Sequence, residues 1–295
     1  MKLAIIRLHI AVFLWGFTGI LGRLISLNEG WLVWWRMLIT AIALWLYFFF
    51  SKQIQRISLR DFLKIGSIGT ILSIHWLLFY GSIKYSNVSI ALTCLATTGL
   101  LSAIIEPLFF RRRINITEIL LGSFALAGII IIYFSNLQFS IGIYIGLLSS
   151  LATVVVSVLN KKIVSGYTPQ SITLYQLTGG FVGLTILMPF YDLLFHSDIQ
   201  YPQKLDWLWL LILGIFCTVL TFLLYIKALR HLSAFTINLT LTLEPIYGII
   251  LAFAVFSENK YLSNYFYIGF ALILIAVLLQ MRRLVKEKRA IMPFE

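Results

Sequence analysis

Ten apolar stretches of about 20 residues follow one another along this chain, separated by short polar runs. They cover approximately 4–26, 31–50, 62–83, 88–110, 116–135, 140–160, 170–190, 206–226, 235–256 and 262–281. Twenty helical residues at 1.5 Å each span ~30 Å, the thickness of a bilayer's hydrocarbon core. In lipid the backbone must satisfy its own donors and acceptors, which leaves helices or a closed barrel. The stretches are continuously apolar, without the alternation of barrel strands, so they read as membrane-spanning helices. Lys2 and Arg7 resemble the start of a signal peptide. No small-residue cleavage site follows and Arg23 ends the stretch, so it is read as the first span.

Only 12% of the residues are charged, about half the share of a soluble domain, yet the net charge is +12. All but five of the 23 Lys and Arg fall on one side of a ten-span topology, the exceptions being Arg23, Arg36, Lys84, Lys204 and Lys260. The positive-inside rule then puts both termini in the cytoplasm and accounts for the basic charge without any nucleic acid. Trp31, Trp34, Trp35, Trp207 and Trp209 gather on the other side, as an interfacial aromatic belt would. Cys94 and Cys217 both fall inside spans and form neither a disulfide framework nor a metal site.

The longest connection, 191–205, is too short to fold alone, so the chain works within or across the bilayer. That favours transport over catalysis or signalling. Shifting the second half back by 146 residues lays Lys84 on Arg230, Phe110 on Phe256, and Phe124-Ala125-Leu126 on Phe270-Ala271-Leu272. It also brings the segment around Arg36 near that around Gln176. The expected organisation is a five-helix repeat over 1–137, a second over 138–281 and a basic cytoplasmic tail over 282–295. An odd number of spans per repeat makes the two copies inverted, and such folds bind solutes near the midplane between the halves.

Several polar residues interrupt the apolar stretches. Glu244 precedes Pro245 in the ninth. Proline removes a helical hydrogen bond and should kink or unwind the helix near Leu241. An intramembrane acid costs ~3 kcal/mol or more if charged, so Glu244 should face the bundle interior. It either senses a substrate amine or a proton, or bonds the backbone that the kink exposes. Arg36 enters its span behind three belt residues, for a cavity or an inter-helix role, whereas Arg23 is expected to snorkel to the headgroups. In HWLLFYGSIK, His75 shares a face with Phe79, and Trp76 with Tyr80. The aromatics suit a cavity wall, and His75 is either a proton carrier or a satisfied packing residue.

Ser149, Thr153, Ser157 and Asn160 form a polar stripe on the sixth span. Thr218, Thr221 and Tyr225 continue it on the eighth, and Asn238 and Thr242 on the ninth. Gly179 and Gly183 form a GxxxG suited to close helix packing. No P-loop, HExxH, metal-ligand set or nucleophile constellation occurs, so neither an enzyme nor a cofactor is expected.

WGFTGILGRLIS, WWRMLITAIALWL, YQLTGGFVGLTIL and LTLEPIYGIILAFAVFSENKYLSNYFYIGFALILIAVLL together resemble the EamA-type branch of the drug/metabolite transporter superfamily. The resemblance runs from residue 8 to about 280. It implies a ten-helix inverted-repeat carrier for small organic metabolites, its cavity lined by the first, third, fourth, sixth, eighth and ninth helices. Members include exporters of amino acids and some importers. Where the family places a proline and a later glutamate in its fourth helix, this chain has Gly99 and Arg112, while the second half keeps Pro245 and Glu258. Glu106-Pro107 lies eight residues from the repeat-equivalent position and is not a copy of Glu244-Pro245. Small multidrug transporters of the superfamily use an acid in the first helix, which is absent here.

The expected function is export of a small amino-acid-like metabolite across a bacterial inner membrane by alternating access, with protons as a candidate coupling ion. Candidate substrate-binding residues are Arg36, His75, Trp76, Tyr80, Asn160, Tyr225, Asn238, Thr242 and Glu244. The alternative is a flippase for lipids or lipid-linked metabolites, which needs a polar groove open sideways to the bilayer.

Overall fold

Helices make up most of the computed structural model, which describes residues 2–52, 54–111, 116–163, 166–229, 240–241 and 243–291; no strand occurs among them. In chain order they are α1 (Lys2–Leu24), α2 (Glu29–Phe50), α3 (Leu59–Tyr85), α4 (Val88–Leu95), α5 (Thr98–Phe110), α6 (Ile116–Ser135), α7 (Ser140–Ile163) and α8 (Pro169–Phe195). Then come α9 (Lys204–Leu211), a π-helical segment (Ile212–Leu220), α10 (Thr221–Leu229), α11 (Glu244–Phe256) and α12 (Asn264–Ile291). Among the described residues seven helical runs are long and apolar enough to cross a membrane. Three shorter apolar helices, Ile119–Ser135, Glu244–Phe256 and Asn264–Leu279, accompany them.

Local sequence sets the helix starts. Asn28, Ser58, Asn87 and Thr168 each stand in extended backbone and accept the N–H of the residue three positions on, at 2.8–3.2 Å. Short Ser, Thr and Asn side chains satisfy orphan donors this way. Pro245 lies in the first turn of α11, where its missing N–H costs nothing. The helix interruption falls at a turn on Leu243, two residues past the expected Leu241. The fourth stretch, Val88–Phe110, is long and apolar enough to cross a membrane as expected, with one interruption inside it. A turn at Ala96-Thr97 parts α4 from α5, and the Thr97 hydroxyl donates to the Cys94 carbonyl at 2.6 Å.

Glycines decide which helices meet closely. A Cβ on Gly179 would stand 2.1 Å from the Gly66 Cα, and one on Gly69 would stand 1.7 Å from the Gln176 carbonyl oxygen. The α3–α8 pair is therefore in backbone contact, with Gly183 against Thr70, as the GxxxG spacing expects. At the α6–α12 crossing Gly128 and Gly269 oppose each other, each would-be Cβ 2.4 Å from the other's carbonyl oxygen. Other pairings join the two halves. α1 packs on α10 and α11, α7 packs on α3 and α4, and α2 packs on the π segment as α3 does on α8.

Bulky apolar side chains such as Phe50, Phe134 and Leu193 are more than two-thirds exposed, a surface that water would penalise and lipid tails would not. One sequence expectation fails here. Trp31 is buried in the core at 7% exposure and not part of an exposed aromatic belt. Arg23, at the end of α1, stays 41% exposed while it pairs with Glu258 and lies over the Phe256 ring at 4.5 Å.

Candidate functional site

The buried Arg36 guanidinium organises the centre of the bundle. Arg36 enters from α2 at 2% exposure, its Nη1 donating to the Tyr80 hydroxyl at 2.8 Å. Nε and Nη2 both donate to the Thr218 hydroxyl, at 3.2 and 3.0 Å. The guanidinium carbon sits 3.8 Å from the centroid of the Trp76 ring, a cation–π contact. Trp76 and Tyr80 are four residues apart and share a face of α3, so one turn of one helix supplies both the ring and the hydroxyl.

Thr218 belongs to the π segment, and its hydroxyl donates to the Leu213 carbonyl, five residues back, at 2.8 Å. With its hydrogen committed there, the oxygen presents only lone pairs to Arg36. Wider π turns of this kind recur at functional sites. One turn further on, Thr221 accepts the Trp15 indole N–H at 2.9 Å, and the Trp15 ring leans on Tyr225 at 5.5 Å.

Among the described residues the ion pairs within 4 Å are Arg23–Glu258 and Lys161–Glu106. Arg36 is thus held by neutral oxygens and a ring, an expensive arrangement for a buried charge. Glu244 opens α11, where a carboxylate is favoured by the exposed N–H groups of the first turn. Close approach of α1 holds that turn in place. A Cβ on Gly16 would stand 3.0 Å from both the Glu244 carbonyl oxygen and the Gly248 nitrogen.

Arg36, Trp76 and Tyr80 thus come together in direct contact, while Tyr225 joins through Trp15 and Thr221. His75 stands apart in its bonding. Its Nδ1 lies 3.0 Å from the Ser149 carbonyl, 2.8 Å from the Ser149 hydroxyl and 2.7 Å from the Thr153 hydroxyl, all on α7. That is the satisfied inter-helix histidine of the two alternatives. Asn160 lies near the far end of α7, its Oδ1 buried without a hydrogen-bond partner among the described residues. Asn238 and Thr242 lie outside the described residues. Sequence reasoning noted Thr218 only as one member of a stripe and missed Trp15, whose sole signal is an indole in the otherwise apolar stretch between His9 and Thr18.

Helices long and apolar enough to cross a bilayer, with a buried guanidinium among them, mark an integral membrane protein. The chain belongs to the EamA-like transporter family, whose model matches it twice, over residues 2–134 and 140–282. It is an integral membrane transporter and not an enzyme. It is 25% identical over 256 residues to the uncharacterized transporter YxxF of Bacillus subtilis, covering 84% of this chain and 80% of that one. An uncharacterized transporter of Haemophilus influenzae is 25% identical over 281 residues, covering 88% of each. One solved crystal structure superposes with a TM-score of 0.62 at 14% identity, covering 93% of this chain and 95% of the other, a likeness of fold alone.

Proposed function

We propose that the protein is a secondary carrier that moves a small amino-acid-like metabolite across a bacterial inner membrane by alternating access, in the direction of export. The observation that carries this reading is the buried Arg36, wrapped by Trp76, Tyr80 and Thr218. A guanidinium has five N–H donors, and Tyr80 and Thr218 engage three. A substrate carboxylate takes Nη hydrogens that these two leave, and its ammonium group lies toward Glu244. In this scheme a proton and the solute's ammonium group compete for the Glu244 carboxylate, one leaving as the other binds, which makes protons the coupling ion. Asn160, whose buried Oδ1 has no hydrogen-bond partner among the described residues, extends the polar path along which the solute enters and leaves.

The topology proposed with it has ten spans in two inverted repeats, 1–137 and 138–281, with both termini and the basic tail 282–295 in the cytoplasm. Supporting it are the helix pairings that join the two halves and the sidedness of Lys and Arg. The 146-residue shift also carries the Ala96-Thr97 turn onto residues 242–243, beside the start of α11. Interrupted helices at corresponding positions of two repeats mark the solute site of many carriers.

A groove of about 470 Å³ between α2 and α8 lacks the polar lining that a lipid flippase would need there. It opens to the membrane yet is lined by Leu38, Ala41, Ile42, Trp45, Leu46, Phe181, Val182 and Thr178. The Thr178 hydroxyl is already occupied by the Trp45 indole and the Leu174 carbonyl, so the groove offers a headgroup no polar track.

The test is counterflow of labelled amino acids in proteoliposomes, comparing the parent with Arg36→Lys and Glu244→Gln. Saturable exchange should fall about tenfold or more with Arg36→Lys, because an ammonium cannot reproduce the forked contact. Glu244→Gln should abolish its pH dependence. Exchange unchanged by both substitutions would overturn this site, and no exchange of any amino acid would overturn the substrate class.

A further inference from the structure

One end of the bundle is tied shut by polar contacts that cross between the two halves. Glu258 lies in the turn between α11 and α12 at 3% exposure. Its Oε1 accepts the Val88 N–H at 3.1 Å and pairs with Arg23. Its Oε2 accepts the Ser89 N–H at 2.9 Å and the Ser89 hydroxyl at 2.5 Å. A carboxylate of the second half therefore holds the first turn of α4 and the last turn of α1, both in the first half. Beside it Asp206 accepts the Ser26 N–H at 2.8 Å and the Ser26 hydroxyl at 2.6 Å, a second tie between halves.

At the other end, the Lys161–Glu106 pair also crosses between α7 and α5, but its side chains are 51% and 28% exposed. The two ends are built unequally, one around a buried carboxylate with several donors and the other around a surface ion pair.

The buried end sits directly over the Arg36 site. Gly22, next to Arg23 in sequence, packs on the Tyr80 ring so tightly that a Cβ there would stand 2.3 Å from ring carbons. Whatever holds Arg23 thus holds α1 down on Tyr80, the residue that accepts from Arg36. Contacts of this chemistry suit repeated opening. Hydrogen bonds exchange for water at a net cost of only ~1 kcal/mol each, whereas the glycine-to-glycine crossings at the bundle's middle have no such replacement.

We propose that Glu258, bonded to the N-terminus of α4 and paired with Arg23, is the latch of a gate over the Arg36 site. Its extracellular location rests on the orientation proposed above. Breaking the latch frees the end of α1 from Tyr80 and opens the site to that side.

The experiment needs no substrate. Thr18, at 6% exposure on α1 below Gly22, is replaced by Cys in a Cys217→Ala background, and Cys94, at 1% exposure in a separate core cluster, serves as an internal control. The full-length protein in right-side-out and inverted vesicles is labelled with a membrane-impermeant maleimide, with and without Glu258→Gln. A second variant, Arg23→Gln, removes the ion pair and leaves the carboxylate on α4. We expect external labelling at position 18 to rise about tenfold with Glu258→Gln, the shift that loss of one charge-assisted hydrogen bond produces, and less with Arg23→Gln. Cys94 labelling should stay at the parent level. Position-18 labelling that stays at the parent level from both sides, or a rise matched by Cys94, would overturn the latch. A rise only from the cytoplasmic side would support the latch and overturn the proposed orientation, a result independent of any failure to find a transported amino acid.

Discussion

Replacing Thr218 by valine tests whether Arg36 is held as a charged group by neutral acceptors. Valine keeps the shape of threonine and removes the oxygen that accepts Arg36 Nε and Nη2. Hydrogen bonds to a charged group contribute ~1.5–3 kcal/mol each when buried. The 3.0 Å contact counts in full and the 3.2 Å contact, at the long end of the normal range, for less. The expected destabilisation is about 3 kcal/mol. Tyr80→Phe removes a single acceptor and should cost about 2 kcal/mol. The decisive measurement is a double-mutant cycle with Arg36→Met, followed by denaturant titration of the protein in mixed micelles. Once the guanidinium is gone, Thr218→Val leaves no donor unsatisfied on α2, so the pair should cost about 2 kcal/mol less than the sum of the single changes. Additivity within about 0.5 kcal/mol would refute the reasoning, because it would mean that Thr218 and Arg36 do not depend on each other.

Gly69→Ala should cost about 3 kcal/mol or more, since its Cβ meets backbone at Gln176 that cannot move aside, and should show as loss of monodisperse protein by size exclusion. Gly99→Ala has nothing within 4 Å of the added methyl and should instead stabilise α5 by about 0.5–1 kcal/mol in the same titration. Lys161→Ala removes a half-exposed ion pair and should change stability by less than about 1 kcal/mol, a loss that added salt does not enlarge. Trp45→Phe deletes the indole donor to Thr178 at the lipid-facing groove and should leave amino-acid counterflow at the parent level; a change would draw the solute path out to that groove.

Much of this protein is legible along the chain because lipid imposes a simple rule on sequence. Backbone in hydrocarbon must bond within its own helix, so length and hydropathy of each stretch declare a span locally. Capping residues such as Asn28, Ser58 and Asn87 act over three positions and are equally local. Arg36 and Glu244 stand out for the same reason, as charges where charges are costly.

What the sequence could not declare is which of these groups meet. Arg36 and Thr218 are 182 positions apart, and Arg23 finds Glu258 across 235. Their pairing depends on how glycines such as Gly66, Gly69, Gly179 and Gly22 let helices approach, which no helical periodicity encodes. The turn at Ala96-Thr97 carries neither glycine nor proline and is invisible to local rules. The sequence by itself determined that this is a helical membrane protein with a few costly polar groups in its spans. Tertiary packing decided that Arg36 is cradled by Trp76, Tyr80 and Thr218, that His75 is tied to α7, and that Arg23 is paired with Glu258. A side chain's partner is a matter of which backbones can come within a few ångströms, and that is settled only when all the helices are in place.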